Sequence, residues 1–515
     1  MNKHATYLVY ALALIKFIFP FFLVDGNFQL HATEFVNFDT AKNFQWGYIN
    51  GEPPLLNWIS LMQHQFAASV MVIKFVPAAF GALTYLFVGL IIVELGGKLF
   101  ATFLAFLPFV LSIYLPLQFY YGSDTLAICF FAAISFFIIK YSYTKQIVWL
   151  YFFGVFIGLG LLSSNLFYII VLLLVASFAL SKRYKIVFTS LHFYLALAIG
   201  VGMFLPHLIW QQNQVLNAHT NIAKSISIEA YSLEQLLFIL GGSFIWIIGI
   251  LYIALSPKGR EHLPFLIVFI VTNFIFFIEQ EEAKNLLPMY AILLAFGAYN
   301  LERLTTRYVR ILRYVSITPL FYVGFMSMPA YMPILPPDQL ASLYLGRNMQ
   351  QDKLLVWEDN NAHDLPQHFA EMIGYKEILE KVAKVYHGVN EQDKANTIIV
   401  SKNRVLAAAV NFYRNDYQLP TTIVANEDFY FTSNINTKIV NVVFIGNPIP
   451  ETNIELFKNF ENSYLAEEFN ENNYSKFKGT KIMLYLKANE TLNNLVKNNN
   501  VVINTPLPKT YLANK

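Results

Sequence analysis

The stretch LHATEFVNFDTAKNFQWGYINGEPPLLNW, Leu30 to Trp58, decides how the rest of this chain is read. It is aromatic, acidic and amphipathic, and too long for a simple connector. Apolar runs at 5–24 and 76–95 flank it, each long enough to cross a bilayer. Outward from there, further runs follow at 97–116, 124–140, 147–163, 165–181, 186–207, 236–256, 263–279, 285–301 and 311–329. The expectation is an all-α polytopic membrane protein with about eleven transmembrane helices, Leu30 to Trp58 lying in its first long loop. The run Tyr7 to Val24 has no small-residue cleavage site and reads as an uncleaved first helix.

Composition agrees. Of 515 residues, 56% are hydrophobic and 13% charged, against about 25% charged in soluble domains. Phe (48) and Tyr (31) supply apolar surface that suits a lipid-facing bundle. A net charge of +3 is too small to imply nucleic acid, and Cys129 stands alone, which excludes a disulfide framework or a thiolate metal site within the chain.

The loops sort into two sets. One carries Lys98, Lys140, Lys145, Lys182, Arg183, Lys185, Lys258, Arg260, Arg303, Arg307, Arg310 and Arg313. The alternate set, at 122–124, 163–165, 211–235 and 279–284, is poor in basic residues. The positive-inside rule then predicts a cytoplasmic N-terminus, with the 25–75 loop, the 208–235 loop and the C-terminal region outside. Such a chain fits the inner membrane of a bacterium, with its C-terminal domain in the periplasm.

After Met328, prolines 329, 333, 336 and 337 mark a linker. The division expected is a membrane module over 1–329 and a small α/β soluble domain over 330–515. Phe369 to Tyr386 has helical spacing, while Thr397 to Val400, Lys438 to Ile445 and Lys481 to Leu486 read as buried strands. The Asn-rich end reads as a loose tip.

Candidate chemistry gathers in the outer loops. Glu34 and Asp39 follow the first run, and Asp124 opens the fourth. Ionisable groups at a membrane boundary are functional candidates. A carboxylate there can take a proton from an acceptor hydroxyl or stabilise a developing sugar cation. The competing reading makes them solvated loop acids, with Asp124 a helix cap in Gly122-Ser123-Asp124. There is no zincin spacing and no Gly-rich phosphate loop.

The segment resembles the GT-C glycosyltransferases related to dolichyl-phosphate-mannose protein mannosyltransferases and bacterial aminoarabinose transferases. The residues carrying the resemblance are Glu34, Ala41, Trp46-Gly47-Tyr48 and Pro53-Pro54-Leu55, then Val93 to Ser112, Asp124, Pro206 to Gln211 and Glu282 to Pro288. Leu365 to Met372 and Val382 to Tyr386 extend it into the tail. It implies a GT-C fold and sugar transfer at the outer face from a polyprenyl-phosphate donor, such as an undecaprenyl-phosphate sugar. The acceptor would be a lipid, glycan or protein. Glu34, Asp124 and Asp39 are the catalytic candidates. Lys284, His207, Glu52, Tyr48, Lys74 and Glu282 are the substrate-binding ones. No cofactor is implied with certainty, and a divalent cation is left open.

The chain departs from the pattern at three places. The family's Asp falls on Thr33, which cannot act as a base near neutral pH. A basic residue before the Pro-Pro step falls on Glu52, and a Thr-Lys pair on Ser164 and Asn165. Either Glu34, Asp39 or Glu52 takes over as base, or activity is altered or lost. Bland readings stand beside the binding roles: Lys284 pairing with Glu281 or Glu282, Lys74 snorkelling, and His207 and His31 as interfacial hydrogen-bond formers. Three hypotheses follow: a transferase, a silent lipid-phosphate binder or scaffold, and a transporter or flippase. The last predicts mid-membrane charges and paired broken helices, which this sequence lacks.

Overall fold

The computed structural model describes residues 2–40, 44–49, 52–66, 68–213, 227–305, 309–346, 354–424, 438–446, 459–494 and 496. The Asn-rich tip beyond 496, Ala41 and much of the 208–235 loop lie outside them. The chain divides into two compact units, one of residues 1–24, 43–62 and 71–334, the other of 25–42, 63–70 and 335–515. The 25–75 loop is therefore shared between them.

The first unit is helical. Each of the eleven apolar runs falls on a helix. Six of these are long and apolar enough to cross a membrane: Lys3–Phe22, Val70–Glu94, Ser123–Thr144, Leu191–Gln212, Gly259–Ile278 and Ile311–Ala330. Leu99–Leu111, Val148–Leu161, Phe167–Leu180 and Ser243–Leu255 are shorter apolar helices. Ser123–Thr144 is buried along nearly its whole length, whereas Ile311–Ala330 leaves most of its surface outward. Helix Leu287–Thr305 crosses Ser243–Leu255 where Gly249 meets Gly297. A Cβ on Gly297 would stand 1.8 Å from the Ile245 carbonyl oxygen, so only glycine permits this approach.

One buried carboxylate joins distant ends of this unit. Glu302, near the end of Leu287–Thr305, accepts from the backbone N–H groups of Lys98, Phe100 and Ala101 at the start of Leu99–Leu111. It serves the helix's orphan donors from across the bundle.

In the second unit, strands β1 (Thr397–Ser401), β2 (Thr422–Val424), β3 (Asn441–Ile445), β4 (Phe460–Phe469) and β5 (Thr480–Ala488) form one sheet in the order β2-β1-β3-β5-β4. β1 runs parallel to β2 and β3, and β5 antiparallel to β3 and β4. Val400, Val442, Phe444 and Tyr485 pack in its core. The expected strands match β1, β3 and β5. β2 is only three residues long, and β4 is a largely exposed edge whose pattern lacks a buried run. The helix expected over Phe369 to Tyr386 is Tyr375–His387, preceded by a single turn at Gln367–Ala370. Gly374, at φ 99°, breaks it, because a left-handed residue cannot continue a helix.

Candidate active site

In the first unit three predicted site residues, Lys74, Glu52 and Asp124, each relate to the segment 119–124. Tyr121 Oη donates to the Leu56 carbonyl (3.0 Å) and lies 2.7 Å from Ser60 Oγ. It thereby pins helix Pro54–Gln63, which Pro53-Pro54 opens. Burial chiefly holds this phenol protonated, and the nearby Glu52 carboxylate adds to that. Glu52 is itself set by a tight pairing with Ile49, 3.0 Å from Glu52 N to Ile49 O. Lys74 does not snorkel. Helix Val70–Glu94 starts earlier than the sequence implied, so Lys74 lies within it, 4% exposed. Its ammonium sits 3.9 Å from the Phe119 ring centroid and 4.8 Å from that of Tyr120.

Asp124 follows directly. Gly122 is the cap of helix Ser123–Thr144 and makes no side-chain cap bond, so Asp124 stands in the first turn rather than capping. There the helix dipole favours its negative charge. Its carboxylate is 4.0 Å from Lys284 Nζ, which is 2.7 Å from Glu282. Lys284 belongs to the short 3-10 turn Ala283–Leu286 that leads into Leu287–Thr305. Burial works against its ammonium, but Asp124 and Glu282 outweigh that and hold it above the usual lysine range. Burial raises the neighbouring carboxyl of Glu281, with Glu282 and Glu279 adding to the shift.

Asp124, Ser164 and Lys284 line a narrow cleft whose remaining wall is mostly apolar, with Ala127, Ile128, Phe167, Ile170 and Leu287. A cation, an anion and a hydroxyl thus edge an apolar slot. Ser164 and Asn165 lack the charge of the Thr-Lys pair they replace, yet Lys284 supplies a cation to the same cleft as Ser164.

A second cluster is aromatic. His207, 1% exposed, makes a 2.6 Å hydrogen bond between Nδ1 and the Trp46 carbonyl. The Tyr48 ring stands edge-on to His207 at 4.9 Å, and Trp210 stacks on His207 at 5.9 Å. Burial pushes the Tyr48 phenol up to about 12, keeping it a hydrogen-bond donor. Trp210 belongs to the Pro206 to Gln211 stretch without a role of its own in the sequence reading, and lies three residues after His207, on one helix face.

Glu34 and Asp39 belong to the second unit. Glu34 is fully buried, and its carboxylate accepts from the His31 N–H at 2.7 Å while its own N–H donates to the His31 carbonyl. The carboxylate thus supplies the Glu half of a capping box at the start of helix Ala32–Thr40. Thr33 Oγ1 lies 2.9 Å from His31 Nδ1, and His31 Nε2 is 3.4 Å from Glu371. Asp39 accepts from Asn411 at 2.9 Å. Among the described residues, no three His, Cys, Asp or Glu side chains converge on a metal position.

Three comparisons bear on this arrangement. Residues 51–210 match the family model described as dolichyl-phosphate-mannose-protein mannosyltransferase. The structure is similar to the crystal structure of ArnT from Cupriavidus metallidurans in the apo state, with a TM-score of 0.60 at 12% identity, over 93% of this chain and 97% of that one. It is similar also to ArnT from the same organism bound to undecaprenyl phosphate, with a TM-score of 0.59 at 13% identity, over 94% and 98%. No curated protein matches the sequence. The chain has the GT-C fold of a multi-pass membrane protein with a small C-terminal sheet domain.

Proposed function

We propose that this protein is a membrane glycosyltransferase that takes its sugar from a polyprenyl-phosphate donor at the outer face of the cytoplasmic membrane. The observation that carries the reading is the cleft edged by Lys284, Ser164 and Asp124 over an apolar slot. A polyprenyl phosphate is built the same way, an anion on a long apolar tail. The match to a mannosyltransferase family model and the likeness to a protein crystallised with undecaprenyl phosphate agree with this.

In the reaction, the bond from the sugar's anomeric carbon to the phosphate oxygen breaks, and the electron pair leaves with the phosphate. Lys284 neutralises that charge. The acceptor oxygen bonds to the anomeric carbon and its proton passes to a carboxylate. Glu34 is fully buried with its Oε2 held by the His31 N–H, and Thr33 has no carboxylate. Asp124, 4.0 Å from the Lys284 ammonium that meets the phosphate, is our assignment for the reacting carboxylate, with Glu52 near Tyr121 as its companion. The Lys and Arg asymmetry of the loops puts the N-terminus inside and residues 330–515 outside.

The capped Glu34 also supports a second reading, a silent relative that binds the lipid phosphate without transfer. Purified protein in nanodiscs, given undecaprenyl-phosphate sugars and extracts of cell-surface acceptors, separates the two by mass spectrometry. New glycosylated product that disappears in Asp124→Asn supports the transferase. Undecaprenyl phosphate bound without any product supports the silent reading, and neither binding nor product overturns both.

A further inference from the structure

The second unit carries a cleft that the transfer chemistry above does not use. Its cavity volume is about 430 Å³, within the roughly 300–1,000 Å³ of ligand sites. Helix Ala32–Thr40 lends Phe38 and Asp39, residues 64–68 lend His64 and Phe66, and helix Arg404–Tyr413 with the turn after it lends Asn411, Arg414 and Asn415.

Its polar groups are held rigidly. Asn411 gives Nδ2 to Asp39 at 2.9 Å and to the Thr422 carbonyl at 3.2 Å, and its Oδ1 accepts the Thr422 N–H at 2.7 Å. Strand β2 therefore fixes the amide, and the amide fixes the carboxylate. Arg414 donates to the Thr421 hydroxyl. His64 packs on Phe38 with ring centroids 4.0 Å apart and the planes tilted by 35°, and hydrogen-bonds the Phe38 carbonyl at 2.8 Å. Phe66 is 67% exposed at the cleft.

The geometry points to a carbohydrate-binding site that holds the glycan acceptor. The Asp39 carboxylate, the Asn415 amide and the Arg414 guanidinium line one cleft with both acceptors and donors, the mixture that sugar hydroxyls pair with. An outward aromatic ring offers a flat apolar face for the C–H side of a pyranose. A phosphate or other anion would meet Asp39 as well as Arg414, and a purely apolar ligand would strand these polar groups. As an acceptor site this rests on the transferase reading; as a glycan site it stands on the cleft alone.

The test uses the full chain in detergent on a printed glycan array. Selective retention of one glycan class is expected, falling at least tenfold in Asn415→Ala, Arg414→Ala and Phe66→Ala. All three positions lie at the rim, and an unchanged melting temperature shows that the variants fold. Retention of no glycan, or retention that survives all three substitutions, overturns the inference. The transfer assay is read separately. Glycan binding without transfer would sink the transferase reading and spare this site. Transfer to a lipid or protein acceptor, with no glycan retained on the array, would do the reverse.

Discussion

Lys284→Met removes the ammonium and keeps most of the side chain's length. A hydrogen bond to a charged group contributes about 1.5–3 kcal/mol. Lys284 is 40% exposed, and exposed ion pairs give only about 0.2–1 kcal/mol. Between these limits, undecaprenyl phosphate binding should weaken by about 1–2 kcal/mol, or roughly 5- to 30-fold. Glu282→Gln should act in the opposite direction. Its carboxylate lies 2.7 Å from Nζ and competes with the phosphate for it. Because Glu282 is 65% exposed, neutralising it should tighten binding by no more than about 5-fold. The ammonium is held above the usual lysine range, so affinity should persist as the pH climbs to about 10. It should fall only when the raised pKa is passed. Binding of undecaprenyl phosphate to the protein, measured over a salt series and a pH series, reads all of this. Binding within twofold of wild type in Lys284→Met, or an equal loss in Glu282→Gln, would refute the assignment of Lys284 as the phosphate's partner.

Glu302→Ala strands three backbone N–H groups at the start of Leu99–Leu111 and should cost about 2–3 kcal/mol, with Glu302→Gln milder. A thiol-reactive dye reads this as a lower melting temperature, because Cys129 is the sole cysteine and is buried. Gly297→Ala forces a Cβ onto the Ile245 carbonyl and should destabilise by about 1–3 kcal/mol or more; unchanged melting would disprove the tight crossing. Burial, with His31 adding, pushes the His368 imidazole down to about 4, against the opposing pull of Glu371. The unfolded chain takes that proton near pH 6.5 and the folded one does not, so stability is present above about 6.5 and lost as pH falls toward 4. His368→Gln should flatten that window in a melting-temperature series from pH 7 to about 4.5, and an unaltered slope would contradict a neutral imidazole in the fold.

The helices of the first unit were legible because lipid demands long, uninterrupted apolar runs and says little else. Periodicity found β1, β3 and β5, whose residues are mostly buried, and missed β4, whose outer face meets water and whose pairing comes from β5. The 25–75 loop showed its importance through length and aromatic content, but not its division between two compact units. Ionisable residues are visible as candidates, and so is the pairing of Lys284 with its sequence neighbour Glu282; partners far along the chain are not. Lys284 could be named from composition, because it is among the few cations in that set of loops. Only the fold brings Asp124, distant by 160 positions, to 4.0 Å from it. The same holds for Glu34, a catalytic candidate in sequence whose hydrogen bond to the His31 N–H only the fold reveals. It holds for Glu302, whose three donors lie some two hundred residues away. Membrane burial is a sum over local apolar surface, so a linear sequence determines it. Hydrogen bonds and ion pairs depend on direction and a few ångströms of distance, and only the tertiary structure decides those.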